Sequence, residues 1–242
     1  MADRSAVEDA GTTGRTGGRT DDRVGDDASA DRASIVIVDY GIGNLRSVTR
    51  GLERAGADVR VSDDPETFAA ADGIVLPGVG AFREGMENAS PYREELAAAA
   101  DRGQPVFGIC LGMQMLLGSS EEAHHAGEGD VEGLNFIPGT NVRFSGDVKI
   151  PHMGWNQLDV CRDHPLVEGV DGGYAYFVHS YYAVPDEEAA IVATTDYGET
   201  FPSIIANESG TVFGTQFHPE KSGETGLSIL RNFVALCAKR NE

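Results

Sequence analysis

Lysine is nearly missing from this chain: only Lys149, Lys221 and Lys239 occur among 242 residues. The 19 basic residues are outnumbered by 39 acidic ones, and the formal net charge is -20. Such a surface repels nucleic acid and anionic membrane, so neither is expected as a partner. Cysteine is scarce as well, and three Cys without paired spacing exclude a disulfide framework and suit a reducing compartment. No run approaches the roughly 18 apolar residues of a membrane span, and the N-terminal segment lacks the apolar stretch of a secretory signal. A soluble, cytoplasmic protein is expected. Large apolar residues are also rare over residues 1–33, where beside Met1 only Val7 and Val24 occur, among five Gly. That segment cannot bury enough surface to offset its ordering entropy and is read as a disordered, acidic, Gly-rich tail. Residues 34–242 then form one domain of ordinary size. Acidic, Lys-poor composition across a globular domain further suggests adaptation to concentrated salt.

What is present alternates between two periods. Ile35-Val36-Ile37-Val38 is a β-branched run, followed at helical spacing by Leu45, Val48, Leu52 and Ala55, with Gly56 as a C-terminal cap. Strand patterns recur at 59–61, 73–76 and 105–109, and helical ones at 82–88 and 92–101. This order predicts an α/β fold with an open, mostly parallel central sheet covered by helices on both faces. Strands expected near 156–160, 173–178, 189–195, 202–206 and 211–216 add antiparallel members before a helix at 224–239.

Gly108-Ile109-Cys110-Leu111-Gly112 follows the apolar run Pro105-Val106-Phe107. It has the form G-x-C-x-G, the thiol counterpart of a nucleophile elbow, whose turn is too sharp for side chains at the flanking positions. The helix-prone stretch behind it places Cys110 at a helix N-terminus, where the dipole and unpaired N-H groups favour a thiolate. A free Cys is ordinarily a small core residue. The two glycines argue otherwise for Cys110, whereas Cys237, on the apolar stripe of the last helix, is read as core.

Such elbows draw one oxyanion donor from the residue after the nucleophile and another from a neighbouring strand-to-helix loop. Leu111 N-H and an amide of Gly78, Val79 or Gly80, in Pro77-Gly78-Val79-Gly80-Ala81-Phe82, fit those places. For the base, His218 ends a strand and has Glu220 two residues on to orient its ring. His179 also ends a strand but has no carboxylate within three residues, so it ranks second. Gly41-Ile42-Gly43 starts like a dinucleotide fingerprint but has Arg46 where the third Gly belongs, leaving a turn into a helix capped by Asn44. Glu121-Glu122-Ala123-His124-His125 and Cys161-Arg162-Asp163-His164 lack convergent ligand spacing; the first is read as a solvated loop. No metal and no cofactor are expected.

Together these residues resemble the class I glutamine amidotransferases, a flavodoxin-like fold in which a Cys-His-Glu triad releases ammonia from glutamine. The match falls on Cys110, His218 and Glu220. Within that class, Asp39-Tyr40-Gly41-Ile42-Gly43-Asn44-Leu45, the 77–82 and 108–114 segments, Lys149-Ile150-Pro151-His152-Met153-Gly154-Trp155-Asn156 and His218-Pro219-Glu220-Lys221-Ser222 are similar to glutaminase subunits of histidine biosynthesis. The resemblance implies glutamine contacts at Gln114, Ser180 and Tyr181. It also implies a heterodimer with a (β/α)8 cyclase subunit that receives the ammonia. Pro151, Met153, Trp155, Asn156, Tyr176 and Lys221 are the expected interface. A glutaminase serving another acceptor, a non-catalytic subunit of the same fold, and a stand-alone Cys hydrolase remain open at this point.

Overall fold

The computed structural model describes residues 32–122 and 131–239. Nearly all of the tail expected over residues 1–33 lies outside them, as do His124 and His125. Ala33 is already buried, and its carbonyl accepts from Asp58 N at 2.9 Å.

The main sheet has eight strands. In chain order its first members are β1 (Ser34–Val38), β2 (Asp58–Ser62), β3 (Gly73–Gly78) and β4 (Val106–Cys110). Three short strands follow, β5 (Ser119–Ser120), β6 (Gly139–Arg143) and β7 (His152–Gln157), then β8 (Asp159–Val160), β9 (Tyr174–His179) and β10 (Tyr181–Pro185). The last are β11 (Ile191–Asp196), β12 (Thr200–Ala206) and β13 (Val212–Thr215). The main sheet runs β2-β1-β3-β4-β13-β12-β11-β8. Its first five strands are parallel, and the other three join antiparallel.

Alternation along β1 shows how the layers are built. Ile35 and Ile37 face one core with Val48 and Leu52 of α1 (Leu45–Ala55) and Ile229, Leu230 and Phe233 of α5 (Gly223–Ala238). Val36 and Val38 face the other, with Phe82 and Met86 of α2 (Phe82–Ala89), Leu96 of α3 (Arg93–Asp101) and Met113 of α4 (Leu111–Met115). Each such buried side chain contributes about 1.5–3 kcal/mol by leaving water, so strands hidden on both faces must be continuously apolar. Cys237 is completely buried in the first core, as expected. Helix α1 ends at Gly56, left-handed at φ 101, whose N-H bonds to the Leu52 and Glu53 carbonyls. Asn44 stands at its other end, but the Asn44 side chain forms no capping bond.

The second half departs from the expected single mixed sheet. The strand expected near 156–160 starts earlier, as β7, and pairs with β9 in a separate two-stranded sheet. After Leu158 only β8 reaches the edge of the main sheet. Strands β5, β6 and β10, which the sequence did not suggest, form a third sheet. Their local patterns are weak; the pairing of Tyr181 with Arg143 and of Pro185 with Gly139 is what orders them.

Candidate active site

Strands β3 and β4 lie side by side, with Gly78 opposite Cys110. Cys110 closes β4, Leu111 opens α4, and the chain turns between them with Cys110 at φ 55 and ψ -108. A non-glycine residue rarely holds a positive φ, and such strain is sustained only where the surroundings fix it. Here they do: a Cβ on Gly112 would stand 1.8 Å from the Leu76 carbonyl oxygen, and one on Gly108 2.6 Å from that of Gly112. A Cβ on Gly78 would meet Leu111 Cβ at 2.7 Å, so the neighbouring strand is glycine for the same reason. Below the turn, the Tyr40 hydroxyl donates to the Pro77 carbonyl, and burial raises its pKa, aided by Cys110.

His218 arrives just beyond β13, at the head of a single tight turn over Pro219–Lys221. Its backbone N-H bonds to Tyr176 O at 3.0 Å, and the Ser222 hydroxyl donates to its carbonyl at 2.6 Å. Glu220 Oε1 lies 3.0 Å from His218 Nδ1. The Nε2 atom has no hydrogen-bond partner among the described residues, and neither has Glu220 Oε2. Burial opposes the imidazolium, but Cys110 and Glu220 outweigh it and hold the His218 pKa up at about 9. Cys110 Sγ also receives the Gln216 amide at 3.8 Å.

Cys110 and His218 share a cavity of about 280 Å³. Its walls include Val79, Gly80, Cys110, Leu111, Gln114 and His218, with Ser180 and Tyr181 opposite. The expected nucleophile, base, loop and glutamine-contact residues therefore converge, Gly78 supporting the floor from behind. Gln114 Nε2 donates to Tyr181 O at 2.9 Å and to Gln216 Oε1 at 3.2 Å, which fixes its amide. His179, the rival base, reaches the cavity with its ring already engaged: Nδ1 lies 2.8 Å from Tyr181 O and Nε2 3.1 Å from His152 Nδ1. Burial pushes its pKa down to about 3.

Outside this cavity, β7 and β9 present an apolar face. Met153 is 61% and Trp155 53% exposed, and Trp155 packs edge-on against Tyr176 at 5.9 Å. Pro151 joins this face to the cavity rim, and Lys221 is exposed beside the His218 turn. Asn156, also expected at the interface, is half-buried. Its Oδ1 lies 2.9 Å from His152 Nε2 and its Nδ2 donates to Asp196 O at 3.0 Å, so it points inward. Strand alternation requires this once Trp155 points out, and that signal is present in the sequence.

The loop expected over 121–125 lies largely outside the described residues, but Glu121 and Glu122 have helical backbone and are held rather than solvated; Glu122 Oε2 accepts from Phe82 N at 2.7 Å and Glu121 Oε2 from Arg143 N at 2.9 Å. Glu122 lines the cavity, a place that sequence reasoning misses, and Gln216, brought to Cys110 where β13 pairs with β4, is missed as well. The Cys161 to His164 segment stays outside the site, with His164 Nδ1 accepting from Leu166 N. Among the described residues no group of three or more His, Cys, Asp or Glu side chains is placed to hold a metal ion.

Residues 36–237 match the family described as glutamine amidotransferase class-I. The chain is 73% identical over 208 residues to imidazole glycerol phosphate synthase subunit HisH of Natronomonas pharaonis, spanning 86% of this chain and 97% of that one. The same-named subunit of Methanosarcina mazei is 51% identical over 205 residues, with 84% and 98% covered. Among solved structures, PurLQS from Thermotoga maritima superposes with a TM-score of 0.63 at 23% identity, covering 84% of this chain and 98% of that one. A glutamine amidotransferase does so with a TM-score of 0.64 at 20% identity, with the same coverage. At these identities the structural likeness is one of fold.

Proposed function

The chain belongs to the class I glutamine amidotransferase family, and from that premise we propose that it is the glutaminase subunit of an imidazole glycerol phosphate synthase. The observation that carries the chemistry is the meeting of Cys110, strained at φ 55, with a His218 ring that Glu220 orients at 3.0 Å, in one cavity. In this reading Cys110 Sγ, as thiolate, attacks the side-chain carbonyl carbon of glutamine. The carbonyl π electrons move to oxygen, and backbone amides at Leu111 and in the 77–80 loop receive the oxyanion. Preorganised donors of this kind contribute about 3–4 kcal/mol each to transition-state binding. The His218 imidazolium then protonates the departing nitrogen, the C-N bond breaks, and ammonia leaves a glutamyl thioester. Neutral His218 next takes a proton from water, whose oxygen attacks the thioester and releases glutamate and the thiolate.

The rest of the cavity suits the amino-acid end of the substrate. Glu122 offers a carboxylate to the α-ammonium, while Gln114, Ser180 and Tyr181 supply polar contacts on the other side. Ammonia then passes to a cyclase subunit with a (β/α)8 barrel, docked on the Met153, Trp155 and Tyr176 face as a heterodimer. There it converts phosphoribulosyl-formimino-aminoimidazole carboxamide ribonucleotide to imidazole glycerol phosphate and aminoimidazole carboxamide ribonucleotide. Exposed aromatic area at a sheet face, with Trp at its centre, is the usual anchor of such an interface. Val79, 40% exposed between two glycines, belongs to a loop able to turn its amide when the partner binds.

The test is glutamate release from glutamine by the subunit alone and with its cognate cyclase plus nucleotide ligand, for wild type and Cys110→Ala. Activity confined to the complex and abolished by the substitution is the expected result. Full activity in the isolated subunit would point to an independent hydrolase and remove the role given to the 77–80 loop.

A further inference from the structure

Four polar contacts run in a line from the Trp155 strand to the wall of the glutamine cavity. Asp196 O meets Asn156 Nδ2 at 3.0 Å, and Asn156 Oδ1 meets His152 Nε2 at 2.9 Å. His152 Nδ1 then meets His179 Nε2 at 3.1 Å, and His179 Nδ1 meets Tyr181 O at 2.8 Å. Both ends of this line are backbone carbonyls, which only accept. A carboxamide, or a neutral imidazole, donates on one side and accepts on the other, so a chain of such groups must run in one direction. It cannot donate outward at both ends. With both histidines neutral, one of the four contacts is necessarily lone pair against lone pair. Turning the Asn156 amide over moves the mismatch to Asp196 and does not remove it.

A third proton on the two rings would complete all four bonds, but the surroundings disfavour it. His152 is fully buried and His179 is 6% exposed. Phe144, Phe177, Phe201 and Tyr197 pack against the two rings, and the other titratable imidazole near them, His218, adds positive charge. Burial lowers the pKa of both rings. The mismatch therefore persists, and its position along the line is the free variable, changed by proton exchange between ring nitrogens with no movement of the backbone.

We propose that this mismatch is a positional switch through which the Asn156 strand governs the Tyr181 carbonyl of the glutamine cavity, with His152 and His179 as positioning residues. This deepens the functional reading above and rests on it. Asn156 Oδ1, whose Nδ2 is committed to Asp196 O, and the Tyr181 carbonyl are both acceptors, so His152 protonated at Nε2 and His179 at Nδ1 satisfy them and leave the mismatch at the ring-to-ring contact in the free subunit. Tyr181 O also accepts from Gln114 Nε2 at 2.9 Å, so a change in the His179 bond reaches the amide expected to meet glutamine. A partner seated on Met153 and Trp155 pulls on Asn156, the next residue of β7. Once Asn156 withdraws its oxygen, solvent water admitted to the ring takes the Nε2 proton and returns one to Nδ1, so that His152 donates to His179 and the line then runs uniformly toward Tyr181.

The experiment reads the rings directly, by ¹⁵N NMR of imidazole-labelled subunit at neutral pH, free and bound to the cyclase. The expected change is at His152, from the Nε2-H to the Nδ1-H tautomer, and Asn156→Val should produce the Nδ1-H form in the free subunit with no partner present. An imidazolium on either ring, or the same His152 tautomer in all three samples, would overturn the proposal. A second variant, His179→Asn, keeps a donor toward Tyr181 but cuts the line. At saturating cyclase its stimulation over the free subunit should fall tenfold or more while KM for glutamine in the complex stays within about threefold. Undiminished stimulation in a variant of unchanged Tm would equally overturn it. The tautomer of the free Asn156→Val subunit needs no turnover, so an inactive wild-type complex would refute the assigned reaction without deciding this point.

Discussion

A histidine as enclosed as His218, 2% exposed, ordinarily gives up its proton on burial, yet this one is held up at about 9. Desolvation pulls downward; the Cys110 and Glu220 interactions reverse it. The sign of the consequence is fixed. A folded-state pKa above the ordinary 6.5 means that the protonated ring stabilises the fold fully below pH 6.5 and progressively loses that effect as pH rises through 9. Ring titration followed by NMR should give a midpoint near 9 in the free wild-type subunit, and Cys110→Ala should lower it, since only Glu220 remains to oppose burial. An unchanged midpoint in that variant would show that the two side chains are not coupled. At this scale the sequence is most readable. The glycines around Cys110 and the carboxylate two residues after His218 are local, whereas Glu122 at the cavity wall and Gln216 against Cys110 are placed by distant contacts that no nearby residue announces.

Among the elements, the β4–α4 elbow and the end of α1 use glycine for different reasons, and the difference is measurable. Gly56 sits at φ 101, and a methyl carbon added to its Cα would meet nothing within 4 Å, so Gly56→Ala incurs only the left-handed backbone penalty of about 1–2 kcal/mol. Gly112→Ala would thrust a carbon to 1.8 Å from the Leu76 carbonyl oxygen, which is backbone of the adjacent strand and cannot step aside without shifting β3. Denaturant unfolding should show the second substitution costing more than about 3 kcal/mol, beyond ordinary overpacking, and the first clearly less. Equal costs would mean that the elbow relaxes easily and that Cys110 is not held in its strained conformation by its neighbours. The same contrast explains what the sequence conceals among the strands. The parallel strands are apolar on both faces and visible one at a time; β6 and β10 are ordered by each other across the 139–185 interval, so neither shows alone. Asn156 lies one step of the two-residue period from Trp155, and the structure turns its side chain against His152.

Over the whole molecule, 39 acidic residues against 19 basic ones make self-repulsion the electrostatic term that depends most on the medium. Two consequences of salt oppose each other. Salt weakens favourable surface pairs, but those described here, half-buried Arg83 with exposed Glu87 at 3.6 Å and Arg231 with Glu224 at 4.0 Å, contribute about 0–1 kcal/mol each. Salt also screens the repulsion among carboxylates, whose reach shrinks from about 10 Å at 0.1 M to about 3 Å at 1 M. With net charge -20 the second effect is the larger, because 39 acidic residues share only 19 basic ones. The hydrophobic cores are not weakened by KCl, so they leave this balance unchanged. Thermal unfolding should therefore move upward as KCl rises from dilute buffer toward molar concentration, by about 2–4 °C for each kcal/mol of repulsion relieved. A Tm that is highest in dilute buffer would show that the carboxylates are already compensated within the folded chain, and would separate the acidic composition from any adaptation to salt.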